Sequence, residues 1–280
     1  MDGKLYLCPT PIGNLEDITL RTLRILKEVD LVAAEDTRRS LKLLNYFKIK
    51  KPLISYFEHN KRERGAEIIH KIRQGQNVAL VTDAGMPAIS DPGEELVKQC
   101  IEENITVISL PGANAALTAL VASGLPTGRF SFQGFLTVNK TARREHLRHA
   151  AELEETLIFY EAPHKLRSTL KDMREYFGNR KIALCRELTK TFEEFVRTDL
   201  DQAILRYQEM PPKGEFVLIL EGAAQKAAQP AEELALRQIY QGLLEQGFSD
   251  KEALKAAAKE KGIPKRQAYT ELKIQSEPEE

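Results

Sequence analysis

Leu5-Tyr6-Leu7-Cys8-Pro9-Thr10-Pro11-Ile12-Gly13-Asn14-Leu15 opens with four apolar residues and runs into a turn stiffened by two prolines. Short apolar runs of this kind continue at residues 31–34, 53–56, 78–81 and 106–110. Between them, residues 20–27, 40–47, 63–73 and 94–103 carry helical patterns. Val-, Ile- and Leu-rich strands that alternate with helices predict βαβ units and a mostly parallel sheet covered on both faces. The fold class expected is α/β.

Gly124-Leu125-Pro126-Thr127-Gly128 makes a break after this first set. A second set of strands is expected at 130–135, 156–160, 182–185, 192–196 and 216–220, with helices near 143–153, 165–176 and 200–209. This half reads as more antiparallel, because 193–197 and 216–221 can pair without a long crossover. Beyond Gly222, the alanine-rich polar stretch 223–230 reads as a linker to three helical patterns at 231–245, 250–259 and 264–272. Ser249 with Glu252 forms a capping-box pattern, Gly262 suits a C-terminal cap and Pro264 a first helical turn. The tail is either a helix-turn-helix or a plain helical extension packed on its neighbour. The organisation expected is therefore an α/β domain over 1–112, a second over 113–224, and a small helix-turn-helix-like domain over 230–280.

With 280 residues, 41 Lys and Arg against 41 Asp and Glu, and a 42% hydrophobic fraction, the chain reads as an ordinary soluble globular protein. No apolar run approaches the roughly 18 residues of a membrane span. Met1-Asp2-Gly3-Lys4 shows no signal-peptide organisation, so a cytoplasmic protein is expected. Cys8, Cys100 and Cys185, each in an apolar setting, read as reduced core residues. Because the net charge is zero, any nucleic-acid footprint must be local.

Three turns rich in glycine and proline fall at predicted strand ends, where open α/β sheets place their ligand crevice. They are Pro9 to Leu15, Thr82-Asp83-Ala84-Gly85-Met86-Pro87-Ala88-Ile89-Ser90-Asp91-Pro92-Gly93, and Pro111-Gly112-Ala113-Asn114-Ala115. One such turn is merely structural; three in one sheet indicate a small-molecule site. No G-x-G-x-x-G follows the first strand and no G-x-x-x-x-G-K-[ST] occurs, which argues against a dinucleotide fold or a P-loop. His146 and His149 lack further ligands at metal spacing, so no metal is expected.

In the second half, Tyr160-Glu161-Ala162-Pro163-His164-Lys165 and Arg186-Glu187-Leu188-Thr189-Lys190-Thr191-Phe192-Glu193 put charge at strand ends, and Lys213-Gly214-Glu215 precedes the last strand. Such residues are candidates for substrate contact or proton transfer, though ordinary surface ion pairs give the same pattern. The best local footprint for a nucleic acid is 38–51, with Arg38, Arg39, Lys42, Lys48, Lys50 and Lys51, no acidic residue, and Tyr46 and Phe47 among them; Lys61, Arg62 and Arg64 follow. Basic side chains answer phosphates, and exposed aromatics stack on unpaired bases. A helix that buries its aromatics and solvates its cations is the plainer reading.

Taken in order, the first turn, Ala34-Glu35-Asp36-Thr37-Arg38, Asp83-Ala84-Gly85-Met86-Pro87, Leu110-Pro111-Gly112, Phe159-Tyr160-Glu161 and Arg186-Glu187-Leu188-Thr189-Lys190 resemble the tetrapyrrole methylase superfamily, and within it the ribosomal RNA small subunit methyltransferase I branch. The likeness runs from about Leu5 to Gly222. It implies two α/β domains with S-adenosylmethionine in the cleft between them, a homodimer, and methylation of a cytidine ribose 2′-hydroxyl in the decoding region of 16S rRNA. By position it implies cofactor contacts from Pro11, Asp83, Ala84, Gly85, Ala88, Asn114, Ala115, Tyr160, Glu161 and Leu188. Tetrapyrrole-methylating relatives tend to carry G-G-D where Asp83-Ala84-Gly85 stands here, which argues against a tetrapyrrole acceptor; the alternative of a methyltransferase acting on a tetrapyrrole or other small molecule is also disfavoured by the basic 38–64 region and the helical tail, which such an enzyme does not need. A ribose hydroxyl needs its proton removed or its anion stabilised. Glu187 or Glu215 is suited to the first task and Arg186 or Lys190 to the second, so Arg186, Glu187 and Lys190 are the expected catalytic group. The C-terminal helices, offering Lys265, Arg266, Gln267 and Tyr269 with Glu277, Glu279 and Glu280 beyond, are expected to assist docking on the small ribosomal subunit.

Overall fold

In the computed structural model, which describes residues 2–224 and 231–273, the apolar runs of the first half become five short strands. They are β1 (Leu5–Leu7), β2 (Leu31–Ala34), β3 (Leu53–Ser55), β4 (Val78–Val81) and β5 (Val107–Ser109). All pair in parallel, in the order β3-β2-β4-β1-β5. Parallel pairing requires crossovers, and α1 (Leu20–Glu28), α2 (Thr37–Tyr46), α3 (Lys61–Arg73) and α4 (Glu94–Glu102) supply them. Every residue of β2 and β4 is buried, as a sheet covered on both faces demands. Leu5, Leu7, Leu31, Ala33, Val78 and Leu80 pack with Ile68, Ile72, Leu96 and Cys100 of α3 and α4. The alternate residues Cys8, Val32, Ala34, Ala79 and Val81 pack with Ile25, Leu26 and Leu44 of α1 and α2. Strands β1 and β4 are neighbours whose following helices lie on opposite faces, which makes their C-terminal ends the switch point where such sheets place a ligand site.

The second sheet holds β6 (Phe130–Phe135), β7 (Thr156–Glu161), β8 (Lys181–Arg186), β9 (Glu194–Asp199) and β10 (Phe216–Leu220), in the order β6-β7-β10-β8-β9. Only β6 and β7 are parallel. The direct pairing expected between 193–197 and 216–221 does not occur: β8 lies between β9 and β10 and pairs with both. Helices α6 (Lys140–Ala151), α7 (Pro163–Phe177) and α8 (Leu200–Glu209) cover one face. The other face meets α5 (Ala115–Ser123), a helix the sequence reading missed, through Ala116, Ala119, Leu120, Ile158, Ala183, Cys185, Val217 and Ile219. Ile12 packs against this cluster from the first lobe, the part of the chain built on the parallel sheet, the second lobe being the part built on the mixed sheet.

The chain divides into two compact units, Met1–Ala223 and Ala224–Glu280, and both sheets belong to the first. The second contains α9 (Ala231–Glu245), α10 (Asp250–Glu260) and α11 (Lys265–Lys273) around Leu236, Leu254, Ala257, Ala258 and Ala268. The Ser249–Glu252 capping box is formed, and Gly262 takes φ +67° just past α10. Pro264 stands immediately before α11, its carbonyl accepting the Ala268 N–H at 3.1 Å. The expected linker from 225 to 230 and the acidic Glu277, Glu279 and Glu280 lie outside the described residues. Among the described residues no helix is long and apolar enough to cross a membrane.

Candidate active site

The two loops leaving β1 and β4 are zipped together. Thr10 and Gly85 exchange backbone hydrogen bonds of 2.9 and 3.0 Å, and the Thr10 hydroxyl donates to the Thr82 carbonyl at 3.1 Å. They form one side of a cavity of about 410 Å³, to which Ile12, Ala84, Gly85, Met86 and Asp91 contribute. Asn114 and Ala115 add the start of α5, where the Asn114 side chain accepts the Leu117 N–H at 3.0 Å. The second lobe closes the cavity with Phe135, Tyr160, Glu161, Cys185, Glu187, Leu188, Lys190, Glu215 and Val217. The Tyr160 ring meets Phe132 and Phe135 edge-on at 5.0 and 5.5 Å, and burial pushes its phenol up, keeping it protonated.

The charged part of the wall sits on strained backbone. Glu187 and Thr189 adopt φ of +51° and +65°, in the left-handed region that side chains rarely enter, least of all β-branched ones. Lys190 Nζ lies between Glu187 Oε1 at 3.1 Å and Glu215 Oε2 at 2.9 Å. The Glu215 N–H also donates to Glu187 Oε1 at 2.9 Å, while among the described residues no donor reaches Glu187 Oε2. Burial pushes the Glu187 carboxyl up, but the Glu215 N–H and the Lys190 ammonium outweigh it and hold the group below its ordinary range. Burial disfavours the charged Lys190, and its two carboxylate partners reverse that, raising it above an ordinary lysine. At neutral pH this is a carboxylate with one anchored and one open oxygen beside a fixed cation.

Two glycines make the cluster possible. A Cβ on Gly13 would lie 2.4 Å from Lys190 Cγ, and one on Gly214 2.4 Å from Glu187 Cγ. The Asn14 N–H next to Gly13 donates to Thr189 Oγ1 at 3.1 Å, tying the first loop to the strained turn.

Residues 4–204 match the family model of the Tetrapyrrole (Corrin/Porphyrin) Methylases. The chain belongs to the tetrapyrrole methylase family. It is 52% identical over 270 residues to the ribosomal RNA small subunit methyltransferase I of Halalkalibacterium halodurans, covering 95% of this chain and 93% of that one. To the protein of the same name from Bacillus subtilis it is 46% identical over 271 residues, covering 95% and 93%. Among solved structures it resembles uroporphyrin-III C-methyltransferase from Thermus thermophilus complexed with S-adenyl homocysteine. There the TM-score is 0.55 at 20% identity, covering 78% of this chain and 97% of that one. A diphthine synthase aligns with TM-score 0.60 at 12% identity over 79% and 90%. These structural likenesses concern the fold.

In this tetrapyrrole methylase the expected site residues divide. Ala84, Gly85, Asn114, Ala115, Tyr160, Glu161 and Leu188 line the cavity, as do Glu187 and Lys190. Pro11, Asp83, Ala88 and Arg186 do not. Asp83 instead accepts the Asp36 N–H at 3.3 Å and pairs with Arg39 at 3.0 Å, fixing the start of α2. Ala88 takes φ +66° and sits under Gly93. Arg186 turns to Glu194 on the neighbouring strand at 3.0 Å. Glu161 lines the cavity but is buried: Oε1 accepts the Ala162 N–H at 2.9 Å, and Oε2 accepts from Thr169, which Arg143 supports in turn at 2.8 Å. All three cysteines are free and buried, and burial pushes the Cys185 thiol, which also lines the cavity, up to about 12. His146 is engaged with Gln133 at 2.8 Å.

Sequence reasoning missed Ile12, Met86, Phe135 and Val217 as cavity residues, since apolar side chains carry no signal that separates a cavity wall from a core. Asp91 stood in the second quoted loop; burial and the nearby Asp83 push its carboxyl up, against a hydrogen bond from Thr82. The missing signal there was spatial: the acid faces the cavity.

Proposed function

We propose that this chain transfers a methyl group to the ribose 2′-hydroxyl of a cytidine in the decoding region of 16S rRNA. The methyl donor is S-adenosylmethionine, which when bound supplies an electrophilic methyl carbon on a sulfonium. The residues present suit it. A volume of about 410 Å³ lies within the range of small-molecule sites. Ile12, Met86, Leu188 and Val217 offer apolar walls to an adenosyl group. Asn114 and the start of α5 suit a carboxylate, and Asp91 suits a cation, whose presence would favour its ionised form. Pro11, Asp83 and Ala88 then act by shaping the loops, and Gly112, between β5 and α5, marks the boundary of the two lobes.

The observation that carries the reading is the Glu187–Lys190–Glu215 cluster in the wall of the cavity. Glu187 Oε2 accepts the hydroxyl proton as the oxygen becomes nucleophilic, and Lys190 stabilises the charge that develops beside it. Arg186 aligns β8 with β9 through Glu194. Alignment of the acceptor oxygen behind the methyl carbon is a main requirement of such a displacement, and the braced loops suit that task. The acceptor follows from the resemblance and from what the relatives are named to methylate. The same reading makes the protein cytoplasmic and homodimeric, with the C-terminal helices assisting docking; sedimentation velocity tests the dimer.

Labelled S-adenosylmethionine offered with unmodified small subunits, free rRNA and a tetrapyrrole precursor tests the whole reading. Label in rRNA at an alkali-resistant linkage supports it. Label in the tetrapyrrole alone refutes the acceptor while keeping the fold.

A further inference from the structure

The chain is neutral overall, yet from Thr37 to Phe57 it contains no Asp or Glu while holding Arg38, Arg39, Lys42, Lys48, Lys50 and Lys51. The structure separates these cations by task. Arg38 pairs with Asp36 at 2.9 Å and Arg39 with Asp83 at 3.0 Å, so both serve the start of α2. Lys42, Lys48 and Lys50 are exposed and have no carboxylate partner among the described residues. Lys51 also lacks a carboxylate partner but is half-buried, and in the next basic stretch Lys61 pairs with Glu58 and Arg64 with Glu67, while among the described residues Arg62 has no such partner. The aromatics divide as well. Phe47 packs toward the core under α2, whereas Tyr46 is 64% exposed, its ring edge-on to Phe47 at 4.9 Å.

This strip is continuous with the site. Helix α2 is held at its first turn by Asp83, whose neighbour Ala84 lines the cavity, and its ten residues carry the charge about 15 Å outward. β3, which follows, is an edge strand, so no further strand covers that flank of the sheet. We infer that the outer face of α2 and the turn after it, Lys42, Tyr46, Lys48 and Lys50, is the surface that holds the phosphate backbone of the RNA acceptor as it leads away from the cavity, with Tyr46 as a stacking platform for an unpaired base. Charge complementarity selects the partner: three unpaired cations around one exposed ring match a single-stranded or looped nucleic acid. The inference rests on the proposed rRNA acceptor.

The test is the salt dependence of binding to an unmodified small-subunit rRNA fragment, with methyl transfer followed in parallel. Each lysine that neutralises a phosphate contributes about 0.7 to the log–log salt slope for single strands. K42Q/K48Q/K50Q is expected to flatten the slope by up to about 2 and to raise KM, leaving kcat at saturation and S-adenosylmethionine affinity unchanged. K98Q/K171Q/K181Q, which removes equal charge elsewhere on the same unit, is expected to leave the slope in place. Tyr46→Leu is expected to weaken binding about tenfold, and Tyr46→Phe to preserve it. An unchanged slope in the first triple variant, or an equal change in the second, overturns the inference. Should the parent bind the fragment with a slope that the first triple flattens, yet transfer no methyl to RNA, the acceptor reading fails and the surface stands.

Discussion

Replacing Gly214 by alanine tests the proposed catalytic cluster with a single methyl group. The added Cβ would lie 2.4 Å from Glu187 Cγ and 2.6 Å from Cδ and Oε1, where ordinary contact begins at 3.4 Å. The carboxylate must therefore shift by about 1 Å, which disturbs its hydrogen bonds with Lys190 Nζ and the Glu215 N–H. Gly214 also sits at φ +81°, which costs an alanine about 1–2 kcal/mol. Because the obstructing atoms belong to a side chain that can swing aside, the fold survives and the strain adds little to that figure. A displacement of this size in an aligned reaction costs roughly 100-fold in rate. Single-turnover transfer from labelled S-adenosylmethionine, with calorimetric cofactor binding and denaturant unfolding alongside, is expected to give that loss with cofactor affinity retained and stability lowered by about 1–2 kcal/mol. Glu187→Gln, which keeps the shape, should lose turnover without the stability change. Parental turnover in a folded Gly214→Ala protein would refute the assignment of Glu187.

Glu187 lies below its ordinary value, so its contribution to folding is present above the unfolded-state pKa and is lost as pH falls through the lower folded value; turnover should therefore persist to more acidic pH than a free glutamate allows. Lys190→Met removes the cation, and the acid limb of the kcat profile should move upward; an unmoved limb would exclude Glu187 as the titrating group. Lys190 is raised, so its contribution holds below the ordinary lysine value and is lost only as pH rises through the higher folded one. Asn114→Ala removes the cap of α5 and should cost about 1 kcal/mol of stability together with cofactor affinity, read by denaturant titration and calorimetry. Thr169→Val strips a hydroxyl from buried Glu161 and should cost about 1–3 kcal/mol in denaturant unfolding.

The parallel half was readable because its strands are buried on both faces, which writes them as unbroken apolar runs. Helix α5 escaped because Ala115-Ala116-Leu117-Thr118-Ala119-Leu120-Val121-Ala122 is apolar all round and shows no 3.6-residue period. The insertion of β8 between β9 and β10 could not be read from spacing, since antiparallel neighbours are chosen by tertiary packing. All three turns rich in proline and glycine contribute residues to the cavity wall, but which carboxylate faces inward was decided by partners distant in sequence. Asp83 was drawn to Arg39 and the Asp36 N–H, while Asp91 turned to the cavity. Arg186 and Glu187 are adjacent, yet β8 sends them to different partners, Glu194 and Lys190.

Two left-handed residues flanking Leu188 raise a question of support. Non-glycine residues held there cost of order 1–3 kcal/mol each and persist only where neighbours over-determine them. Part of that support is local: Glu193 accepts the Thr189 N–H at 2.8 Å, and the Lys190 N–H donates to the Glu187 carbonyl at 3.0 Å. The rest comes from the other lobe, through the Asn14 N–H on Thr189 and the Lys190 stem laid against Gly13. The first loop thus has two tasks, since Ile12 forms cavity wall while Gly13 and Asn14 brace the turn that aims Glu187. A change that loosens this loop should degrade cofactor affinity and proton transfer together, even though only one of its residues faces the cavity. On the proposed assignment of Glu187, that coupling accounts for the two prolines in so short a turn: a rigid backbone there fixes the relation between the methyl donor's cavity and the carboxylate.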